Sequence, residues 1–246
     1  TTARGALRAA LAERAVKARL AAVADAFNKA PDKGLERLTA AGLAPSPPSP
    51  ADVAALLRHC PAVSRDAAGD LLGEGDEFAV AVLDAFARSF DFSAASFDSA
   101  LRAFLASFRL PGEAQKISRV MEAFGSRFHA AHPARFTNAD ACYVLAYSAI
   151  MLHTDAHNAQ VKKKMTAAEF VRNNRGINDG ADLPEAFLAA LYDRIVGQEI
   201  RMKDDGDDVI SGGGGAGRHV GGGSGSLAAA ASSAASSAAA AANAAA

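Results

Sequence analysis

The sequence predicts an all-α fold: a single elongated domain of stacked helices, with a disordered tail at its C-terminal end. Three observations carry that expectation. Large apolar residues recur at spacings of three and four along most of the chain, the period of a helix that buries one face. Helix start signals stand in front of several of these runs. Strand signals are nearly absent, with no Asn-Gly hairpin and no sustained alternation of β-branched residues.

The elements follow in order. The chain to about Phe27 is Ala-rich and carries Leu7, Leu11, Leu20 and Val23; its opening residues read equally as helix or as tail. Pro45-Ser46-Pro47-Pro48 is a short stiff connector, read as a loop. Ser49, Pro50 and Asp52 form an N-cap with proline in the first turn. Phe97, Leu101, Phe104, Leu105 and Phe108 repeat at helical spacing, as do Ile117, Val120, Met121, Phe124 and Phe128. Thr166 with Glu169 fits a capping box opening a helix that carries Phe170 and Val171. Asp182, just before Leu183-Pro184-Glu185, heads a last run through Phe187, Leu188, Leu191, Tyr192 and Ile195. From Lys203 the text turns to Gly, Ser and Ala with almost no large side chain to bury, as expected of a flexible tail.

Composition narrows the function. Lys+Arg is 26 against Asp+Glu 27, a formal net charge of −1, which lacks the basic excess of a nucleic-acid binder. Cys60 and Cys142 are far apart and in no metal-ligand spacing, so reduced thiols are expected rather than a disulfide framework. The longest apolar run, Ala141 to Leu152, is interrupted by Ser148 and too short to span a bilayer, so no direct membrane insertion is expected. The sequence opens on Thr1 with no charged-then-apolar leader, as expected of an excerpt from a longer protein.

Two segments carry the functional signal. In FRLPGEAQKI, Phe108 to Ile117, the pair Pro111-Gly112 fits a tight turn between two amphipathic helices. Glu113 then stands at the loop tip, at or near a helix N-terminus, where the helix dipole favours the ionised carboxylate. It either caps its own helix or is presented outward. The second segment is YVLAYSAIMLHTDAHN, Tyr143 to Asn158. One stripe there holds Tyr143, Tyr147, Ile150, Met151 and Thr154; another holds Leu145, Ala149 and Leu152. A helix apolar on two faces is either wholly buried or offers one face to a partner. Asn158, seven residues beyond Met151, falls on the same face. Within this segment His153, Asp155 and His157 read H-x-D-x-H, and histidines at i and i+4 can share a metal. The zinc-hydrolase motif needs Glu after the first His, where Thr154 stands, and no third ligand is signalled. The reading adopted is histidines at a helix end, with no metal.

Together these segments, continued by KKKMTAAEFVRNNRGINDG and supported by FNKAPDKGL, GDLLGEGDEF and ADLPEAFLAALYD, resemble the Sec-seven (Sec7) domain, the exchange module of Arf GTPase activators. The resemblance spans about Val16 to Asp205, leaving residues 1–15 as an N-terminal flank and 206–246 as a flexible tail. It implies a guanine-nucleotide exchange factor that expels GDP from an Arf-family small GTPase without covalent chemistry. It also implies no cofactor of its own, since Mg²⁺ and GDP or GTP belong to the partner. By the same resemblance Glu113 is the catalytic "glutamic finger", and Tyr143, Ile150, Met151 and Asn158 belong to a groove that grips the GTPase switch regions. The phrases YDRIVGQEIRM and AYSAIMLHTDAHN are most similar to the large Golgi-type factors inhibited by brefeldin A. In such factors the positions of Tyr147, Ser148, Asp155 and Met165 track sensitivity, and all four match the sensitive pattern. Location in the cytoplasm, peripheral at Golgi or endosomal membranes through flanking segments, is implied too. The sequence departs from the family pattern at His153 (Asn is usual), Ser118 (Asp), Leu71 (Tyr) and Gly75 (a charged residue). A module that binds GTPases without accelerating exchange is the rival reading, and the intact Glu113 and groove count against it.

Overall fold

The computed structural model describes residues 3–200. Among them lie ten α-helices and no strand; the nearest approach to a sheet is one isolated bridge between Asn178 and Ala181. The Gly/Ala/Ser-rich segment from 206 to 246 falls outside the described residues. No described helix is long and apolar enough to cross a membrane. Tertiary contacts divide the chain between Ser89 and Phe90 into two compact units.

The first unit contains α1 (Ala3–Lys29), α2 (Pro31–Ala40), α3 (Pro50–His59), α4 (Arg65–Gly73) and α5 (Glu77–Arg88). From Ala3 onward the stretch that read as helix or tail is helix, continuous with the run that buries Val23, Ala24 and Phe27. α2 packs on α1, and α5 packs on both α3 and α4. The α1–α2 contact is so close that a Cβ on Gly34 would lie 2.4 Å from Phe27 Cβ. Start signals behave as their chemistry demands. Ser49 and Asp52 complete a reciprocal capping box with Pro50 in the first turn, while Ser64 and Asp76 cap α4 and α5. Asn28, near the end of α1, accepts from the Ser64 N–H and donates to the Ala62 carbonyl, fastening the start of α4 to it.

The second unit contains α6 (Phe97–Leu105), α7 (Ala114–Ala131), α8 (Ala139–His157), α9 (Ala167–Asn173) and α10 (Glu185–Gly197). Its core is a phenylalanine cluster. Phe97 meets Phe128 edge-on at 4.9 Å and Phe124 at 5.6 Å, and Phe104 bridges Phe90, Phe108 and Phe124. Each fully buried ring contributes about 1.5–3 kcal/mol, with a further increment from edge-to-face geometry. Thr166 and Glu169 form the expected capping box at α9. Asp182 does not cap α10. Its carboxylate instead accepts from the Gly176 N–H, closing the preceding loop, and Pro184 stands at the N-cap without a side-chain bond. Pro184, two residues after Asp182, sets the boundary, because the residue before a proline is disfavoured from helical backbone and the helix begins only at Glu185.

The longest contact in this unit is between α7 and α8, and one glycine permits it. A Cβ on Gly125 would lie 2.9 Å from Tyr143 N and 3.1 Å from Ala139 O, both backbone atoms of α8. Gly125→Ala adds helix propensity on α7 but forces the two backbones apart. The expected result is a net loss of about 1–3 kcal/mol, the usual range for overpacking. Urea unfolding would read it as a lowered midpoint; an unchanged or raised midpoint would show that α8 yields cheaply.

Candidate functional site

Chemistry-bearing side chains collect around α7, α8 and the loop from α8 into α9. Glu113 is the N-cap residue of α7, with φ −89° and ψ 131°, and its side chain makes no cap hydrogen bond. That carboxylate is 72% exposed and pairs with Lys116 one turn on, Oε1 to Nζ 3.2 Å. Of the two readings open in the sequence, capping is therefore the one not realised. With its carboxylate this exposed, the pair contributes about 1 kcal/mol or less, so Glu113 can exchange partners at little cost.

α8 resolves the two-stripe pattern. Leu145, Ala149 and Leu152 are fully buried. On the other stripe Tyr147 and Ile150 are each only 3% exposed, while Tyr143, Met151 and Thr154 are half-buried. The helix thus buries one face completely and leaves the other partly open. Tyr143 and Tyr147 meet edge-on at 5.1 Å. The Tyr143 hydroxyl lies 2.9 Å from Ser118 Oγ on α7, and Ser118 donates on to Glu122 at 3.3 Å. The Tyr147 hydroxyl is buried without a hydrogen-bond partner, and burial pushes its pKa up.

The end of α8 is organised by its own loop. Asn158 is the C-cap residue, half-buried, and its Oδ1 accepts from the Gln160 N–H. Lys164 Nζ reaches back to the carbonyls of Asp155 and Asn158 at 2.6 and 2.7 Å, supplying a partner for the last-turn Asp155 carbonyl and a second one for Asn158, which also accepts from the Val161 N–H. Asp155 Oδ2 accepts from Met165 N–H at 2.7 Å, which brings two of the four residues expected to track brefeldin A sensitivity into direct contact. The Met165 carbonyl accepts from Tyr192 of α10, and Asn173 approaches its sulfur. Asp155, Lys163, Met165, Glu169, Arg172 and Asn173 line one shallow, open depression. Ser148 is half-buried elsewhere on α8.

His153 and His157 stack obliquely, ring centres 5.0 Å apart. His157 Nε2 lies 2.9 Å from the Ile195 carbonyl of α10, and since a carbonyl only accepts, that nitrogen carries the proton. No third candidate ligand joins the pair among the described residues. The His153 Nε2 is buried without a partner. Burial, with His157 and Arg102 adding positive charge against the opposing Glu199, lowers the His153 pKa to about 4.

Sequence reasoning did not anticipate the partner of Glu113, the Ser118–Tyr143 contact or the role of Lys164. It also missed Arg102 of α6, which donates to the carbonyls of Glu199, Gln198 and Arg194 and so caps the end of α10. Asp98 and Arg194 complete that cluster with a 2.6 Å contact. Only Gly125, a glycine inside a helical pattern, carried a readable signal of close backbone approach.

The fold and this site define an all-helical module with an outward carboxylate beside a half-open apolar helix. The sequence model described as "Sec7 domain" matches residues 16–200, and the chain belongs to that family. It is 51% identical over 193 residues to brefeldin A-inhibited guanine nucleotide-exchange protein 3 of Arabidopsis thaliana, covering 78% of this chain and 11% of the relative. Against the ARF guanine-nucleotide exchange factor GNOM of the same organism identity is 51% over 186 residues, 76% of this chain and 13% of GNOM. The chain thus spans about a tenth of the length of the curated relatives it matches. Among solved structures it is similar to the Sec7p catalytic domain, with a TM-score of 0.68 and 44% identity over 73% of this chain and 97% of that one. A Sec7 domain bound to ARF1-GDP and brefeldin A gives a TM-score of 0.68 and 36% identity, covering 78% and 96%.

The histidine pair yields a pH prediction. An ordinary histidine titrates near 6.5, whereas folded His153 resists protonation down to about 4. Between those values the unfolded chain binds a proton that the folded chain refuses, so stability should fall as pH is lowered through that window. His153→Asn removes the titration, and its melting temperature should decline less steeply from pH 6.5 to 4. Parallel slopes for the two proteins would assign the acid loss to other groups.

Proposed function

We propose that this chain promotes GDP release from an Arf-family small GTPase, with Glu113 as the catalytic group and the half-open face of α8 as the docking groove. The observation that carries the reading is the Glu113 carboxylate, exposed at the start of a long, well-anchored helix and not committed to capping it. Membership of the Sec7 family supports it, as does the relatives' description as nucleotide-exchange proteins. In this reading Tyr143, Met151 and Asn158 meet the GTPase, with Ile150 supporting them from beneath. The exchange-competent region is the stretch from about Val16 to Asp205. The protein acts in the cytoplasm, peripheral at Golgi or endosomal membranes.

The mechanism is electrostatic. GDP is held by its β-phosphate, which Mg²⁺ and a lysine of the GTPase neutralise. A carboxylate inserted there competes for both cations and repels the phosphate. Two like charges about 4 Å apart at an effective dielectric of 20 repel by roughly 4 kcal/mol, enough to weaken nucleotide binding about a thousandfold. No bond is made or broken, and the protein needs no cofactor of its own. Helix α7 supplies the rigidity that directs this repulsion at the nucleotide.

Glu113→Lys tests the finger. The side chain lies outside the core, so the variant should fold normally. Its exchange rate, read as loss of fluorescent GDP from the GTPase, should fall to background while binding to the GDP-loaded GTPase persists. Appreciable residual exchange would overturn the electrostatic mechanism. Met151→Ala tests the groove. Removing an interface anchor costs about 2 kcal/mol, so a roughly thirtyfold weaker apparent affinity with little change in maximal rate is expected. A collapse in melting temperature would instead make Met151 a core residue.

The same reading extends to brefeldin A, named in the relatives' descriptions. The buried, unpartnered Tyr147 hydroxyl and the linked Asp155 and Met165 are the groups expected to form the inhibitor site with Ser148. An inhibitor bridging both proteins stabilises the GDP complex, so inhibition should strengthen as GDP-loaded substrate is raised. Replacing Tyr147-Ser148 by Phe-Ala should confer resistance and preserve exchange; unimpaired exchange by the parent protein at saturating drug and substrate would refute the assignment.

A further inference from the structure

The contact between Ser118 and Tyr143 stands between the two parts of the proposed site. Ser118 lies on α7, five residues after Glu113, and Tyr143 lies on α8. Their oxygens are 2.9 Å apart, and Ser118 also reaches Glu122 Oε1 at 3.3 Å. The proton inventory orders the chain. Ser118 donates its one hydroxyl hydrogen to Glu122, so Tyr143 is the donor to Ser118. Every polar hydrogen in the chain is then used, and both hydroxyls are fixed in rotation. Seven residues further along α7, two helical turns away, Gly125 brings the α7 and α8 backbones together. The two points sit on the same helix pair. One sets the distance between the helices and the other, nearer the carboxylate, resists rotation of α7 about that close approach.

We propose that Ser118 is a positioning residue for Glu113, fixing the angle of the finger helix against the groove helix through Tyr143. The inference rests on the exchange function proposed above. Ser118 need not touch the GTPase. Its hydroxyl holds the start of α7 so that the carboxylate arrives at the nucleotide in one orientation rather than several. Catalysis by a single directed charge is sensitive to such spread, because small displacements from productive geometry cost rate rather than binding. Tyr143 then has two duties, one face toward the partner and its hydroxyl toward α7. The edge-on contact with Tyr147 holds the ring in the plane that makes this bond possible.

The test is a double-mutant cycle with Ser118→Ala and Tyr143→Phe, the latter retaining the ring and deleting only the hydroxyl. Exchange is measured against GTPase concentration, separating maximal rate from apparent affinity. Each single variant should lower the maximal rate about fivefold, the worth of one hydrogen bond, and for Ser118→Ala, which lies outside the groove, apparent affinity should stay within twofold. The double variant should be no slower than either single, since both remove the same bond. Ser118→Thr, which keeps the hydroxyl, should restore most of the rate. Melting temperatures distinguish positioning from general loosening, because the rate loss should appear even where stability is unchanged. Additive losses, a loss confined to affinity, or an unaltered rate in Ser118→Ala would each overturn the proposal. If the parent protein itself failed to accelerate GDP release, the exchange function would fall first, and this inference with it; parental exchange with an indifferent Ser118→Ala would refute the inference alone.

Discussion

The close approach of α7 and α8 is the constraint on which the second unit depends. Gly125 has no Cβ, and the backbone of α8 occupies the space one would fill. Because the helices meet backbone to side-chain-free backbone, their contact is dominated by geometry rather than by adaptable side chains. The flanking residues of α7 then have no freedom over which way they face. Ile117, Val120, Met121, Phe124 and Phe128 all enter the core, and the phenylalanines interlock with Phe92, Phe97 and Phe104. An interior packed this densely resists rotation of α7 as well as its separation from α8. The carboxylate at the helix start inherits that stiffness.

Under the exchange mechanism proposed above, a finger that acts by charge alone would ask little of its own side chain and a good deal of its support. In that mechanism Glu113 needs to be exposed and not committed to capping its own helix, and both conditions hold. Had its side chain capped α7, withdrawing it to reach a nucleotide would cost about 1 kcal/mol of helix stability. The N-cap position without the cap bond avoids that cost while keeping the favourable helix dipole. The backbone carbonyl of Glu113 still accepts from Ile117, so the helix begins in order with the side chain left out.

Much of this fold was readable from sequence because its signals are local. Capping boxes at Ser49 and Thr166 involve residues three apart, and the periodicity of α6 and α7 lies within single helices. Glu113 was legible for the same reason, since Pro111-Gly112 breaks the helical pattern immediately before it, although the segment is a bend rather than the tight turn expected. What escaped notice joins residues distant in sequence. Arg102 meets carbonyls more than ninety positions on, and Ser118 meets Tyr143 across a helix pair. Periodicity says that a helix has two apolar faces but not which neighbour takes each one. Hence Tyr147 and Ile150 shared a stripe with Met151 in the sequence, while in the fold they are buried and it is half-open.

That partial opening of α8 has a structural reason. A helix is ordinarily held by neighbours on most sides, and uncovering one side weakens it. Here the uncovered side is compensated at the C-terminal end, where carbonyls would otherwise need water or a packing partner. Lys164 satisfies that of Asp155 and also reaches that of Asn158, and His157 binds α10 through the Ile195 carbonyl. α10 is secured in turn by Arg102, whose guanidinium gathers three carbonyls at its end. Cationic or polar side chains thus close both helix ends, also complementing the negative pole of each dipole. With its end fixed from the loop side, α8 does not need a further helix over Tyr143, Met151 and Thr154. That half-open face is the one proposed above to dock the GTPase, and the fastened end leaves it available without loosening the helix.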